Sequence, residues 1–295
     1  MVENSPIVSV VMNCLNCEDY VREAIESVYA QTFTDWEIIF WDNNSIDKSA
    51  KIAKSFDSRL KYYKSDTTDL LGKARNKALN CCTGNYIAFL DCDDLWLPKK
   101  LENQIPIFEN SEIGIVYCDS IFFNDEKDLY RLYSKEKPLR GHVFKGLLDK
   151  YILSMETVVI RKSALEDLDH YFDETFSMAE ETDLFLRIAY NWSIDYVDEP
   201  LAKWRMHDKS ESQLNSYLVP KEKELILQKL SKIFPDFEDE CSDVISRQRR
   251  TIDYQWGLSF WESGDGKTSR QYFKKHIKKT KFLILYILTF LTNHH

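Results

Sequence analysis

Over the first 120 residues, short runs of β-branched and aromatic residues alternate with apolar residues at helical spacing, a rhythm that leaves few possible folds. The runs Ile7 to Met12, Trp36 to Trp41, Leu60 to Tyr63, Tyr86 to Leu90 and Ile115 to Tyr117 predict strands. Between them Val21, Ala24, Ile25 and Val28, then Ile52, Ala53 and Phe56, then Leu101, Ile105 and Phe108 predict helices, each with one apolar face to lay on a sheet. The expected fold class is α/β, a mostly parallel sheet flanked by helices.

From about Phe122 to Asp149 the pattern weakens around Pro138, Gly141 and Gly146, which predicts an irregular segment bordering a binding site. A strand at Thr157 to Ile160 and a helix from Glu180 to Asn191 follow. After Pro220 the spacing is helical, through Leu225, Ile226, Leu230 and Ile233, then Ile252, Trp256 and Phe260, then Phe273 and Ile277. This divides the chain into a domain over residues 1–217 and a smaller helical C-terminal region over 218–295.

With 295 residues, 44% of them hydrophobic, the chain can bury a sizeable core. A net charge of −9 argues against a general nucleic-acid binder, which needs a basic surface. The charge is uneven. Lys267, Arg270, Lys274, Lys275, Lys278, Lys279 and Lys281 are followed or interrupted by no acid, so the basic tail contrasts with an acidic body. Seven cysteines, an odd number, and a polar start without a signal-peptide pattern lead us to expect a reduced, cytoplasmic protein. The apolar run Phe282 to Leu291 covers roughly 15 Å as a helix, about half a bilayer core.

Three motifs fail their context. Gly264-Asp265-Gly266-Lys267-Thr268 ends like a phosphate loop, but Trp261 stands where the first glycine is needed and helical spacing precedes it, so a turn between helices is expected. No G-x-G-x-x-G follows the first strand, which removes the dinucleotide-binding reading. Cys14 and Cys17 form a C-x-x-C without a second suitably spaced pair, and are read as small loop residues.

Other motifs support one another. Asp42-Asn43-Asn44-Ser45-Ile46-Asp47 follows the second strand, at the sheet edge where α/β proteins bind ligands. A carboxylate there either accepts an N–H from a nucleobase or closes an Asx turn. Asp91-Cys92-Asp93-Asp94 follows the strand Tyr86 to Leu90; such bunched acids suit Mg²⁺ or Mn²⁺ bridging a diphosphate, or else an acidic helix start. Between them, Arg75 in Gly72-Lys73-Ala74-Arg75-Asn76 offers a planar fork to phosphate or base, or lies on a solvated helix face.

In this order, with Val8-Ser9-Val10-Val11-Met12-Asn13, Ala24-Ile25-Glu26-Ser27-Val28 and Gln31-Thr32, the sequence from about Pro6 to Ser212 resembles glycosyltransferase family 2, inverting GT-A-fold enzymes that use nucleotide-diphosphate sugars. The resemblance implies nucleotide-sugar binding by Asn13, Asp42, Arg75, Asp91, Asp93 and Arg205. Asp42 would read the base, usually uracil, and Asp91 and Asp93 would form the D-x-D element. Asp93 and His207, in Trp204-Arg205-Met206-His207-Asp208-Lys209-Ser210, would hold Mn²⁺ or Mg²⁺, with Arg205 or Ser210 approaching phosphate. In Ala179-Glu180-Glu181-Thr182-Asp183 the second acid, Glu181, would deprotonate the acceptor hydroxyl, in place of the usual Asp. The chain also departs from the family at Leu15, where an aromatic is usual, at Asn13 for proline and at Asn43 for an acid.

The function so implied is transfer of a sugar from a nucleotide-diphosphate sugar, most often a UDP-sugar, to a hydroxyl of a glycan or lipid-linked oligosaccharide in surface polysaccharide synthesis. The alternative is a catalytically weak sugar-nucleotide-binding scaffold acting through its helical C-terminal region. Phe273, Ile277, Ile284 and Leu288 among the tail lysines predict an interfacial helix over residues 267–291 on anionic membrane at the inner face of the cell membrane, or else a terminal helix docked on the protein's own core.

Overall fold

The computed structural model describes residues 6–134, 137–207 and 215–291. The chain forms two compact units, Met1–Leu147 with Tyr151–Ser210, and Leu148–Lys150 with Glu211–His295. In chain order the strands are β1 (Val8–Cys14), β2 (Trp36–Asp42), β3 (Leu60–Lys64), β4 (Tyr86–Phe89), β5 (Leu95–Trp96), β6 (Ile113–Phe123), β7 (Asp128–Arg131), β8 (Val159–Arg161) and β9 (Ser193–Arg205). The helices are α1 (Val21–Tyr29), α2 (Ser49–Ala53), α3 (Leu71–Leu79), α4 (Lys100–Gln104), α5 (Phe144–Asp149), α6 (Lys162–Glu166) and α7 (Glu180–Asn191), then α8 (Val219–Ile233), α9 (Phe237–Glu240), α10 (Ser242–Glu262), α11 (Gly266–Lys275) and α12 (Thr280–Leu291).

The strands make one sheet in the order β3-β2-β1-β4-β8-β6-β9-β5, with β7 paired to β6. β1 to β4 run parallel, β8 enters antiparallel between β4 and β6, and β9 runs parallel to β6. β1 and β2 are covered on both faces, which is why they read as nearly continuous apolar runs. Val8, Val10, Met12 and Cys14 of β1 pack with Ile38 and Phe40 of β2 beneath the Val21, Ala24, Ile25 and Val28 stripe of α1, so the expected helix face meets the expected strand face.

The N-terminal edge of the parallel strands is closed by one buried acid. Glu37 accepts from Ser9 Oγ at 2.6 Å and from Thr83 N at 2.9 Å, and pairs with Lys61 at 2.5 Å. Burial alone would raise its carboxyl; Lys61 and the bonds from Ser9 and Thr83 hold it below the usual range. Gly84 N in turn donates to Ser9 Oγ at 2.8 Å. The opposite, C-terminal edge carries the candidate site.

Several strands depart from the sequence reading. β6 extends to Phe123 and turns through β7, so the segment from Phe122 to Asp149 contains a hairpin and α5 where an irregular stretch was expected. β9 is interrupted by Pro200 and slips register against Cys118 to Ser120, and such bulges break the two-residue alternation that marks a strand. β5 is only two residues long. Thr157 lies in a 3₁₀ turn, and β8 begins at Val159.

In the second unit, Gly257 of α10 lets Phe273 of α11 approach so closely that a Cβ would lie 2.3 Å from its ring. Ser269 Oγ of α11 donates to Gly257 O at 2.7 Å. Gly264, at φ +85°, and Asp265, whose carboxylate caps Thr268 N, make the expected turn between these helices.

A Cβ on Gly84 would lie 2.6 Å from Ser9 N and 2.9 Å from Val8 C, both backbone atoms. Gly84→Ala is expected to cost about 1–3 kcal/mol by overpacking, read as a lowered Tm in thermal denaturation. An unchanged Tm would mean that β1 and the turn before β4 are not in this contact.

Candidate active site

At the C-terminal edge, β1 ends with Asn13 and Cys14, β2 with Asp42, and β4 runs into Asp91 to Asp94. Asp42 is 0% exposed. Its Oδ1 accepts from Ser45 N at 2.7 Å and its Oδ2 from Tyr62 Oη at 2.5 Å. Asp42, expected to read the base, closes the turn after β2 with both carboxylate oxygens. That turn braces the loop after β1, with Ser45 Oγ accepting from Asn16 N at 3.0 Å and Asp47 from Glu18 N at 2.8 Å. Asn43 is occupied too, exchanging amide bonds with the backbone of Asp69 at 2.9 and 3.1 Å. Asn13 differs, since neither its side-chain Nδ2 nor its Oδ1 has a partner among the described residues.

Arg75, buried on α3, donates through Nη1 to Glu180 Oε1 at 2.6 Å and through Nη2 to Asp91 at 3.0 and 3.2 Å. Phe172 lies under the guanidinium, 5.6 Å from it. The fork is thus spent on two carboxylates. Arg75 joins the D-x-D turn to the first residue of α7. Asp91 keeps 38% of its side chain exposed on the far side of that ion pair.

Arg205, at the end of β9, is likewise committed. Its Nε donates to Asp93 O at 2.8 Å, Nη1 to Asp125 at 2.5 Å and Nη2 to Glu23 at 2.6 Å. The guanidinium lies 4.6 Å from the Tyr20 ring and 4.4 Å from that of Phe123. Held there, it shapes the turn of Asp93. Arg205 N also donates to Asp94 Oδ1 at 2.8 Å. These bonds set β9 beside the D-x-D turn and bring His207 Nε2 to 2.9 Å from Asp93 Oδ2. Ser210 lies outside the described residues.

Two ligand atoms on one octahedral cation with bonds of about 2.1 Å stand about 3 Å apart, so the Asp93–His207 pair fits a shared divalent ion. Burial, then the charge of Asp91, raise the Asp93 carboxyl, and burial with Asp93 and Glu156 raise Asp94 well above the usual range. Glu156 is itself buried, with Oε2 on Ser154 Oγ at 2.5 Å and no partner for Oε1 among the described residues. Glu181, half-buried at the start of α7, is raised to about 8 by burial and by Glu180, against the opposing pull of Arg75. This edge holds more negative charge than Arg75 alone balances, and a divalent cation relieves such repulsion.

A family model described as glycosyl transferase family 2 matches residues 9–169. The chain belongs to glycosyl transferase family 2. An uncharacterized glycosyltransferase of Methanocaldococcus jannaschii is 31% identical over 213 residues, 70% of this chain and 73% of the relative. The UDP-Glc:alpha-D-GlcNAc-diphosphoundecaprenol beta-1,3-glucosyltransferase WfgD of Escherichia coli is 29% identical over 193 residues, 65% of this chain and 73% of its own. Among solved structures, S. aureus TarS 1-349 in complex with UDP-GlcNAc superposes with a TM-score of 0.67 at 18% identity, over 96% of this chain and 90% of that one. The mannosyltransferase PcManGT of Pyrobaculum calidifontis, in complex with GDP-Man and Mn²⁺, gives 0.64 at 14% identity, over 97% and 85%. The fold of this glycosyltransferase is therefore GT-A-like.

Sequence reasoning missed several supports of this family 2 site. Tyr62, partner of Asp42, sits on β3, where the Leu60-Lys61-Tyr62-Tyr63 run signals a strand but no ligand. Glu23 and Asp125 read as ordinary surface acids until Arg205 connects them. Glu156, an isolated acid just before an apolar strand, is the one that pattern could have flagged.

Removing the Arg75 cation leaves Asp91 and Glu180 without their shared partner. Arg75→Met is expected to lower stability by about 3–5 kcal/mol near neutral pH and by less near pH 5, where the freed acids can protonate. Urea denaturation at the two pH values reads the difference; equal losses would separate the effect from charge.

Proposed function

We propose that this protein transfers a sugar, with inversion, from a UDP-sugar to a hydroxyl of a lipid-linked oligosaccharide in surface polysaccharide synthesis, with Mn²⁺ or Mg²⁺. The observation that carries the reading is the Glu180–Arg75–Asp91 bridge, which holds the start of α7, and with it Glu181, against the D-x-D turn. The undecaprenol-linked substrate named for the E. coli relative supports the acceptor, and the ligands of the two structural neighbours support a nucleotide sugar and a cation.

In this reading Asp93 and His207 would hold the cation, with Asp91 beside them, and Asn13 would contact the nucleotide. When bound, the cation would neutralise charge on the departing diphosphate. Glu181 takes the proton of the acceptor hydroxyl as its oxygen bonds to the anomeric carbon, and the bond to the diphosphate oxygen breaks on the opposite face. The raised carboxyl of Glu181 suits a base, because a carboxylate that binds protons tightly draws one from a hydroxyl more readily. Arg75 acts through its neighbours as a positioning residue, since its charge keeps Glu181 from rising further.

The test is nucleotide release from UDP-, GDP- and dTDP-sugars with Mn²⁺ or Mg²⁺ and a lipid fraction as acceptor. Release with one donor, abolished by EDTA and by Asp93→Ala, is the expected result; metal-dependent nucleotide binding without product would favour the scaffold alternative. Only deprotonated Glu181 is a base, so the rate should climb with pH and level off at or below about 8, the nearby cation pulling the limb downward. Glu181→Gln should remove that limb together with most of the rate; an unchanged profile would refute the base.

The second unit supports a lipid setting. On α12, Leu283, Ile284, Ile287 and Phe290 are 40%, 52%, 50% and 57% exposed, and at 100° per residue they fall on one arc. Lys274, Lys275, Lys278, Lys279 and Lys281 precede or begin that helix, matching anionic headgroups beside an apolar layer. No helix among the described residues is long and apolar enough to cross a membrane. Co-sedimentation with phosphatidylglycerol vesicles, lost in neutral vesicles and in Ile284→Glu/Ile287→Glu, is expected; self-association through the same residues would instead assign the arc to a second copy.

A further inference from the structure

The start of β6, on the opposite edge of the sheet from the D-x-D turn, borders a cavity that the transfer chemistry leaves unused. Glu112, His142, Asp167, Asn191 and Trp192 line it, and its volume is about 560 Å³. Register places it, because Ala88 of β4 aligns through Val159 of β8 with Val116 of β6. Asp91 lies three residues beyond Ala88 and Glu112 four residues before Val116, so the two stand roughly 23 Å apart along the strands at ~3.3 Å per residue. α7 joins the two places. Glu181 lies at its start and Asn191 at its end, ten residues on and roughly 15 Å along the helix axis.

Backbone bonds and one ring fix the walls. Ser193 N donates to Glu112 O at 3.1 Å, which sets Glu112 beside the end of α7, and Gly141 and Ile194 exchange N–H···O bonds at 2.8 and 3.0 Å, which brings His142 to the same edge. The Trp192 side chain lies against Gly114 so closely that a Cβ on the glycine would stand 2.6 Å from Trp192 Cβ and 2.8 Å from its Cγ. Its Nε1 donates to Asp167 Oδ2 at 3.0 Å, just past α6. The indole is thereby held as a half-buried platform, while Glu112, His142, Asp167 and Asn191 are exposed around it.

This lining selects a chemical class. Two carboxylates and no lysine or arginine face the cavity, which disfavours phosphates, nucleotides and acidic sugars. Among the described residues the group able to hold a metal ion is His170, Asp173 and Asp183, so Glu112, His142 and Asp167 do not converge on one. A quaternary ammonium calls for a cage of several aromatic rings, and Trp192 is the single Phe, Tyr or Trp of this wall. A pyranose fits: its C–H face packs on a flat indole, and its hydroxyls, each donor and acceptor, meet carboxylate, amide and imidazole. The volume lies in the range of small-ligand sites, about 300–1,000 Å³.

We propose that this cavity is a second glycan-binding site, which takes an uncharged sugar of an oligosaccharide on the Trp192 ring. The ligand class follows from the cavity alone. Its use, gripping an acceptor glycan several sugars away from the end being extended, rests on the transfer proposed above.

The experiment separates the two. The tryptophans of the full chain are labelled with ¹⁵N, the Trp192 Nε1–H signal is assigned by its loss in Trp192→Phe, and cellohexaose, maltohexaose and chitohexaose are titrated to millimolar concentration. With one of them the Trp192 signal is expected to shift saturably, while inorganic phosphate and choline leave it in place. Calorimetry should show binding weakened roughly tenfold or more by Trp192→Ala and by Glu112→Ala/Asn191→Ala, the second of which removes exposed side chains only. In nucleotide release the Glu112→Ala/Asn191→Ala chain should keep kcat and show a roughly tenfold higher KM for a long acceptor. No shift with any of the three glycans, an equal response to phosphate or choline, or undiminished binding by Glu112→Ala/Asn191→Ala would each overturn the site. A saturable shift in a chain that transfers no sugar would support the site and count against the transfer reading, whereas transfer with an unchanged KM in that variant would overturn the acceptor role.

Discussion

Everything at the open sheet edge depends on one buried guanidinium with two acids to serve. A carboxylate at the end of β4 and another at the start of α7 repel each other unless a cation lies between them, and Arg75 provides it from α3. Because both partners are held by the same planar fork, neither the D-x-D turn nor α7 can shift alone. Asp93, Asp94, Glu156 and Glu181 lie outside that bridge, and burial with neighbouring acids raises their carboxyls. The Arg75 bridge joins two elements of this edge, while Arg205 and Asp42 hold the turns beside it.

The two edges of the parallel strands use buried polarity differently. At the N-terminal edge every interaction converges on Glu37, whose neighbours donate to it or carry positive charge, and the carboxyl stays low. At the C-terminal edge Asp93 and Asp94 are buried beside other acids and are raised. The same residue type therefore closes one end of the sheet and leaves the other poised for chemistry.

Much of the fold was legible because β1, β2 and α1 bury single-character faces, and local periodicity reports burial. β9 was not, because its bulges and Pro200 erase the alternation, and its place is set by β6 and Asp94, far away in sequence. In the site, the acids of the D-x-D turn and α7 could be found as types in order. The intramolecular partners of Asp42, Arg75 and Arg205 could not, since an arginine with free donors and one already gripping carboxylates have the same letter and spacing. Only the partners Tyr62, Glu180, Glu23 and Asp125 distinguish them.

Asp93 and His207 meet across 114 positions of sequence, through a strand that joins the sheet after almost all of the others have been made. During synthesis, an emerging chain that has completed β1 to β4 has the sheet edge and the acidic turn but not the imidazole, whose strand is still to come. The Asp93–His207 pair is thereby completed only once β9 has closed against β6.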